Sequence, residues 1–139
     1  MAELSASDLE EIVRRTVGHY DGRAEPFWEG TRDHDVSQNI AALLDAIEGA
    51  PPFRILDLGC GPGRDVAAFA KAGHEPTGLD GAPAFCEMAR RLTGREIYNQ
   101  DFLSLDLPKA HFDGVFANAT LFHVPTQELP RVLGDLRAA

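Results

Sequence analysis

The chain has 139 residues and carries 22 acidic side chains against 13 Lys and Arg, a formal charge of −9. That length suits one domain with one core, and 44% hydrophobic with 25% charged residues is ordinary for a globular protein. No apolar run approaches the roughly 20 residues that span a bilayer. Met1-Ala2-Glu3-Leu4-Ser5 lacks the basic start and apolar stretch of a signal peptide, so the cytoplasm is the expected address, with no membrane partner. The acidic balance repels a phosphate backbone, whose binding depends on Lys and Arg displacing counterions, so no nucleic-acid partner is expected. Arg90, Arg91 and Arg95 read as a solvated helix end. Cys60 and Cys86 form neither a disulfide framework nor a metal-ligand spacing. Arg32-Asp33-His34-Asp35 lacks a distant ligand, and no metal site is expected.

In chain order, Ser7 and Glu10 form a capping box that predicts a helix over residues 8–17, ended by Gly18. Residues 19–34 are a polar and aromatic stretch. A second helix is expected after Asp35, with Gln38 at the reciprocal capping position. Its apolar face is Ile40, Leu43, Leu44 and Ile47, and Gly49 is its stop. Residues 53–58 form a short apolar run that meets glycines, as a buried parallel strand does. A helix over 64–72 ended by Gly73, a weaker strand over 75–80, and a helix from Pro83 to about Leu92 follow. Residues 96–100 and 112–118 are further strand candidates. Thr126 caps a last helix with Pro130 in its first turn. Strands alternating with helices predict an α/β fold: a Rossmann-like, doubly wound parallel sheet with right-handed crossovers. Residues 1–50 read as a helical lid and 51–139 as the core.

Ligands of such sheets bind beyond the carboxyl ends of the strands, where the glycine-rich run Asp57-Leu58-Gly59-Cys60-Gly61-Pro62-Gly63 lies. Glycines there let backbone turn sharply and approach a ligand. A dinucleotide fingerprint places its third glycine at the sixth position, but here that position is Arg64 and the glycine comes early, at Gly63. Asp57 before the loop would repel a pyrophosphate and attract a cationic ligand. Gly78-Leu79-Asp80-Gly81 ends the second strand, and a carboxylate there can accept from two vicinal ribose hydroxyls.

The run Ile55-Leu56-Asp57-Leu58-Gly59-Cys60-Gly61-Pro62-Gly63 resembles the first motif of class I S-adenosylmethionine-dependent methyltransferases. The resemblance extends from residue 53 to 125, and implies the N-terminal half of that fold, with about four strands, and S-adenosyl-L-methionine as cofactor. It places Gly59, Cys60, Gly61 and Gly63 against the methionine part of the cofactor, and Asp57 near its amino group. It gives Asp80 to the ribose, and Asp101 and Phe102 of Gln100-Asp101-Phe102 to the adenine, with Gly81, Ala82 and Met88 as further apolar contact to that ring. Asn118 and Ala119, after the fourth strand, lie by implication beside the departing methyl group. Tyr20, Phe27 and Trp28 resemble the aromatic entrance of small-molecule methyltransferases, with Tyr20 and Trp28 closing over a sulfonium through cation–π attraction. A turn acid at Asp101, a core Met88 and an aromatic clasp at the N-terminus are the structural alternatives.

His123 is the candidate catalytic residue, because imidazole titrates near neutral pH and can take a proton from an acceptor; a structural His is the alternative. The implied activity is methyl transfer to a small-molecule acceptor, against an inactive cofactor-binding module. A nicotinamide oxidoreductase is disfavoured by Asp57 and Arg64. The family sheet has seven strands, so the chain is expected to be a fragment, a truncated product or half of an assembly. The fourth strand then keeps an open edge through which the chain can self-associate.

Overall fold

The structure, a computed structural model, describes residues 2–139. Three helices come first, α1 (Ala6–Asp21), α2 (Ala24–Thr31) and α3 (Ser37–Ala46). The core then alternates β1 (Arg54–Leu58), α4 (Arg64–Lys71), β2 (Glu75–Asp80), α5 (Pro83–Thr93), β3 (Ile97–Asn99) and β4 (Gly114–Phe116). Two 3-10 turns, Leu121–His123 and Thr126–Glu128, lead to α6 (Leu129–Ala138). The four strands are parallel, in the order β3-β2-β1-β4, with Leu58 level with Leu79 and Asp80 level with Asn99. β1 therefore sits centrally, and its carboxyl end opens between those of β2 and β4.

Strand alternation sends the side chains of β1 to two cores. Leu56 and Leu58, with Leu79, pack against Val132 and Leu136 of α6. Ile55 points the other way, where Phe53, Phe69 and Phe116 meet Ile40, Leu43, Leu44 and Ile47 of α3. The Phe69 ring stands edge-on to Phe116 at 5.3 Å. Helices thus cover both faces, as doubly wound topology requires. Asp57 shares the face of Ile55 and is buried on the α4 side.

Several local expectations shift. The first capping box is Ser5 with Asp8, not Ser7 with Glu10: the Ser5 hydroxyl accepts from Asp8 N–H, and the Asp8 carboxylate accepts from Ser5 N–H at 2.9 Å. α1 also runs through Gly18 to Asp21, because Val17 and Tyr20 pack onto Ala82 and Phe85 and that burial outweighs one glycine's propensity. Residues 24–31, read in the sequence only as part of a polar and aromatic stretch, are helical. Before α3 the Asp35 carboxylate accepts from Ser37 N–H at 2.9 Å, so the cap is local and Gln38 takes no part. β4 is shorter than the apolar run because Phe112 N–H is drawn to the Ala139 carbonyl at 3.0 Å, while Ala119 turns with φ +54°. α6 starts three residues after Thr126, which opens a 3-10 turn instead.

One packing constraint fixes the helices behind the glycine loop. Gly63 caps α4 with φ +97°, and a Cβ there would lie 2.9 Å from Ala89 Cα on α5. Gly63→Ala therefore combines left-handed strain with a helix–helix clash and is expected to lower stability by about 2–4 kcal/mol. Urea denaturation checks this; an unchanged midpoint would mean that α4 and α5 separate freely.

Candidate functional site

The loop between β1 and α4 turns on three left-handed glycines, Gly59 (φ +74°), Gly61 (φ +53°) and Gly63. It is drawn over β2 because Gly59 N–H and Cys60 N–H both donate to the Leu79 carbonyl, at 2.8 and 3.0 Å. The Asp80 carboxylate then ties the two strand ends together. Oδ2 accepts from Gly61 N–H and Oδ1 from Ala82 N–H, each at 2.9 Å. Every carboxylate oxygen has a second lone pair, so Asp80 keeps acceptor capacity toward the cleft.

α1 and α2 roof this arrangement. Val17 presses on the turn at Gly81, where a Cβ would lie 3.0 Å from Val17 Cγ2. Tyr20 stands edge-on to Phe27 at 5.8 Å, and Phe27 packs against Phe85 at 5.1 Å. From the far wall, His123 Nε2 meets the Tyr20 hydroxyl at 3.0 Å. The result is a cavity of about 320 Å³ between the strand ends and the roof, at the small end of the range for small-molecule sites.

Twelve of the expected residues line that cavity: Tyr20, Trp28, Gly59, Cys60, Gly61, Asp80, Gly81, Asp101, Phe102, Asn118, Ala119 and His123. Asp57 and Gly63 do not. Asp57 is 2% exposed and lies beneath the loop, and Gly63 faces α5. Gly59 lines the cavity, but its missing Cβ makes room for Thr120, 2.5 Å from where that atom would sit. Two of the loop's glycines thus make room for packing within the chain. Asp101 accepts from Leu103 N–H at 2.7 Å and so also fills the turn role. The Asn118 amide oxygen accepts from Asn39 Nδ2 at 2.9 Å. Ala119 holds a conformation that side-chain-bearing residues rarely adopt, and it does so in the cavity wall.

Residues 55–139 match a protein family described as a methyltransferase domain. The chain belongs to that family. The family uses S-adenosylmethionine as its cofactor. An uncharacterized 37.1 kDa protein in transposon Tn4556 of Streptomyces fradiae is 33% identical over 146 residues, covering 99% of this chain and 40% of that protein. A trans-aconitate 2-methyltransferase of Methylobacterium nodulans is 38% identical over 101 residues, covering 69% of this chain and 39% of that enzyme. The chain thus spans well under half the length of both. Among solved structures, a Burkholderia thailandensis 1,6-didemethyltoxoflavin N1-methyltransferase with bound 1,6-didemethyltoxoflavin and S-adenosylhomocysteine superposes with a TM-score of 0.72. It is 26% identical, covering 99% of this chain and 61% of that one.

Sequence reasoning for this methyltransferase domain missed part of its cleft. Val13, Thr16 and Val17 join Tyr20 in the lining at positions i, i+3, i+4 and i+7 of α1, a stripe that was available to a periodicity argument. Arg64, which in the sequence only weighed against a dinucleotide, is a cleft residue. Its guanidinium holds the buried Asp65 through Nε at 2.9 Å and Nη2 at 3.2 Å, and donates from Nη1 to the Thr31 carbonyl at 2.8 Å. No local signal announces that last contact, which joins positions 33 residues apart. Among the described residues no helix is long and apolar enough to cross a membrane.

The electrostatics are lopsided. Burial pushes the Asp57 carboxyl well above the usual carboxylate range, reinforced by the carboxylates of Asp65 and Asp80 and opposed by Arg64. Asp57 Oδ2 is buried without a hydrogen-bond partner among the described residues. Asp80 is raised too, by burial, against the backbone N–H groups of Ala82, Gly61 and Gly81. Burial likewise raises the Cys60 thiol, so it carries no thiolate chemistry. His123 is lowered, by burial and then by His19, which favours the neutral imidazole.

With raised folded-state pKa values, Asp57 and Asp80 bind protons more tightly folded than unfolded, so their contribution to stability falls as pH rises above the ordinary carboxylate range. Asp57→Asn, which removes the buried ionisable group, is expected to stabilise the free chain at pH 7 and to flatten that pH dependence. Chemical denaturation between pH 4 and 8, the ordinary carboxylate and neutral limits, measures both. A less stable variant would show Asp57 to be compensated in place.

Proposed function

We propose that the chain binds S-adenosylmethionine in this cleft and transfers its methyl group to a small-molecule acceptor. The observation that carries the reading is the pairing of Asp80, braced by Gly61 and Ala82 N–H with lone pairs to spare, with the orphaned carboxylate of Asp57 under the same loop. A buried carboxylate without a partner is costly unless a cation or donor arrives. A cofactor bearing an ammonium group, a sulfonium and a ribose diol suits that donor set. Asp80 is assigned to the ribose, Asp57 to the amino group, and Asp101 with Phe102 to the adenine. Arg64, the one guanidinium in the cleft among the described residues, is assigned to the carboxylate. Bound S-adenosylmethionine supplies an activated methyl group open to in-line displacement.

The chain's own work is then positioning and drying. Good positioning is worth as much as about 7–11 kcal/mol of a barrier. Tyr20, Phe27 and Trp28 roof the cleft with aromatic surface and keep water out. Asn118 and Ala119 form the wall at the reacting end. His123 presents a neutral imidazole, the form that takes a proton from an acceptor hydroxyl or amine, and the Tyr20 hydroxyl at Nε2 fixes its ring. A small-molecule acceptor is supported by the small molecules in the relatives' names, trans-aconitate and 1,6-didemethyltoxoflavin.

Calorimetric titration with S-adenosylhomocysteine tests the site. Asp80→Ala is expected to weaken binding by about 2–4 kcal/mol, since two hydroxyls lose a charged partner. Equal affinity in a folded variant would remove Asp80 from the site. Turnover of labelled cofactor with mixed small acceptors tests the activity: His123→Ala is expected to be about a hundredfold slower on a hydroxyl or amine acceptor. Undiminished turnover would leave His123 only the task of holding Tyr20.

A further inference from the structure

Arg64 stands at the junction of three things: the end of the glycine loop, the core helix α4 and the roof. Its Nη1 bond to the Thr31 carbonyl is, among the described residues, the sole hydrogen bond that joins α2 to the core. Thr31 is the last residue of α2, at the negative end of the helix dipole, and its carbonyl accepts from His34 N–H at 3.0 Å as well as from Arg64. α2 has eight residues and no side-chain cap at its N-terminus, so it is far too short to persist unaided. Arg64 therefore caps the roof helix from across the cleft. A guanidinium has five N–H donors. Asp65 takes two and Thr31 one, which leaves two on a side chain that lines the cleft.

We propose that Arg64 is a positioning residue that couples a carboxylate in the cleft to closure of α2. The inference rests on the reading of this cleft as the cofactor site. A carboxylate on the two remaining N–H groups fixes the guanidinium, and the fixed guanidinium holds the α2 terminus. Thr31, and His34 and Val36 beyond it, then take their places in the wall. The amino-acid end of the cofactor thus completes the roof, and the acceptor meets a finished wall only after the cofactor has bound. A nucleoside without a carboxylate occupies the adenosine end and leaves α2 loose.

Hydrogen exchange of residues 24–36 and the fluorescence of Trp28, the single tryptophan and a member of α2, read the roof directly. In the unaltered chain, saturating S-adenosylhomocysteine is expected to slow exchange there by about tenfold or more, the worth of one charge-assisted hydrogen bond, and to shift the emission. Saturating methylthioadenosine, which lacks the amino acid, is expected to do neither. Arg64→Ala saturated with S-adenosylhomocysteine is expected to protect residues 78–82 but not 24–36. Arg64→Lys, which keeps the charge but not the fork, serves the same purpose if the alanine variant does not fold. Equal roof protection by methylthioadenosine, or in either variant, would overturn the coupling while leaving the cofactor site intact. A folded, unaltered chain that binds no S-adenosylhomocysteine would sink the cofactor reading and the coupling with it.

Discussion

The site depends on a single carboxylate. Asp80 accepts from the backbone of Gly61 on one side and of Ala82 on the other, and so sets how far the glycine loop stands from the turn after β2. Neither contact involves another side chain. Hydrogen bonds from backbone N–H to a charged acceptor are among the stronger ones, roughly 1.5–3 kcal/mol each. Without that bridge, three left-handed glycines in five residues would leave the loop with a large conformational freedom to lose on each binding event.

That bridge brings a second carboxylate close, and the fold accepts the consequence. Asp57 is level with Gly78 in the sheet and feels the negative charges of both Asp65 and Asp80. Of the three, Asp65 has its ion pair in Arg64, and Asp80 has its backbone donors. Asp57 has neither, and its Oδ2 remains orphaned. Orphaned buried polar groups are rare, and they concentrate where a ligand or ion completes them. The deficit is directional: three acids around one guanidinium favour a cation. The same imbalance disfavours a phosphate-bearing ligand on that loop, in line with the early position of Gly63.

The parts of the fold that were legible in the sequence are those whose signal is local. The β1 strand, its loop and α4 follow one another within 18 residues, and apolar run, glycines and amphipathic helix each announce themselves there. Asp80 and the segment after β4 were legible because strand ends recur in an α/β pattern. α2 was not: Pro26 and Gly30 lie inside it, and its helicity comes from Ala24 and Phe27 packing on Phe85 and from Arg64. Propensity alone weighs against such a segment, and tertiary contact overrides it. The reasons for Gly59 and Gly63 were equally hidden. A glycine that admits Thr120 or Ala89 looks, in one dimension, like a glycine that admits a ligand.

The roof differs in kind from the floor. The floor is a sheet whose central strand is buried on both faces, with Ile55, Leu56 and Leu58 fully inaccessible. The roof is α1 and α2, with no fully buried residue in α1 and only Ala24 buried in α2. Its apolar contacts are Val17, Tyr20 and Phe27 against Ala82 and Phe85, which are also walls of the cleft. Segments with few buried contacts open at free energies far below that of global unfolding. Since the surfaces that hold the roof down are the surfaces a ligand would touch, filling the cleft adds contacts chiefly to the least stable part of the chain. Rigidity in the floor and deferred order in the roof are thus two outcomes of one sequence, divided at the glycine loop.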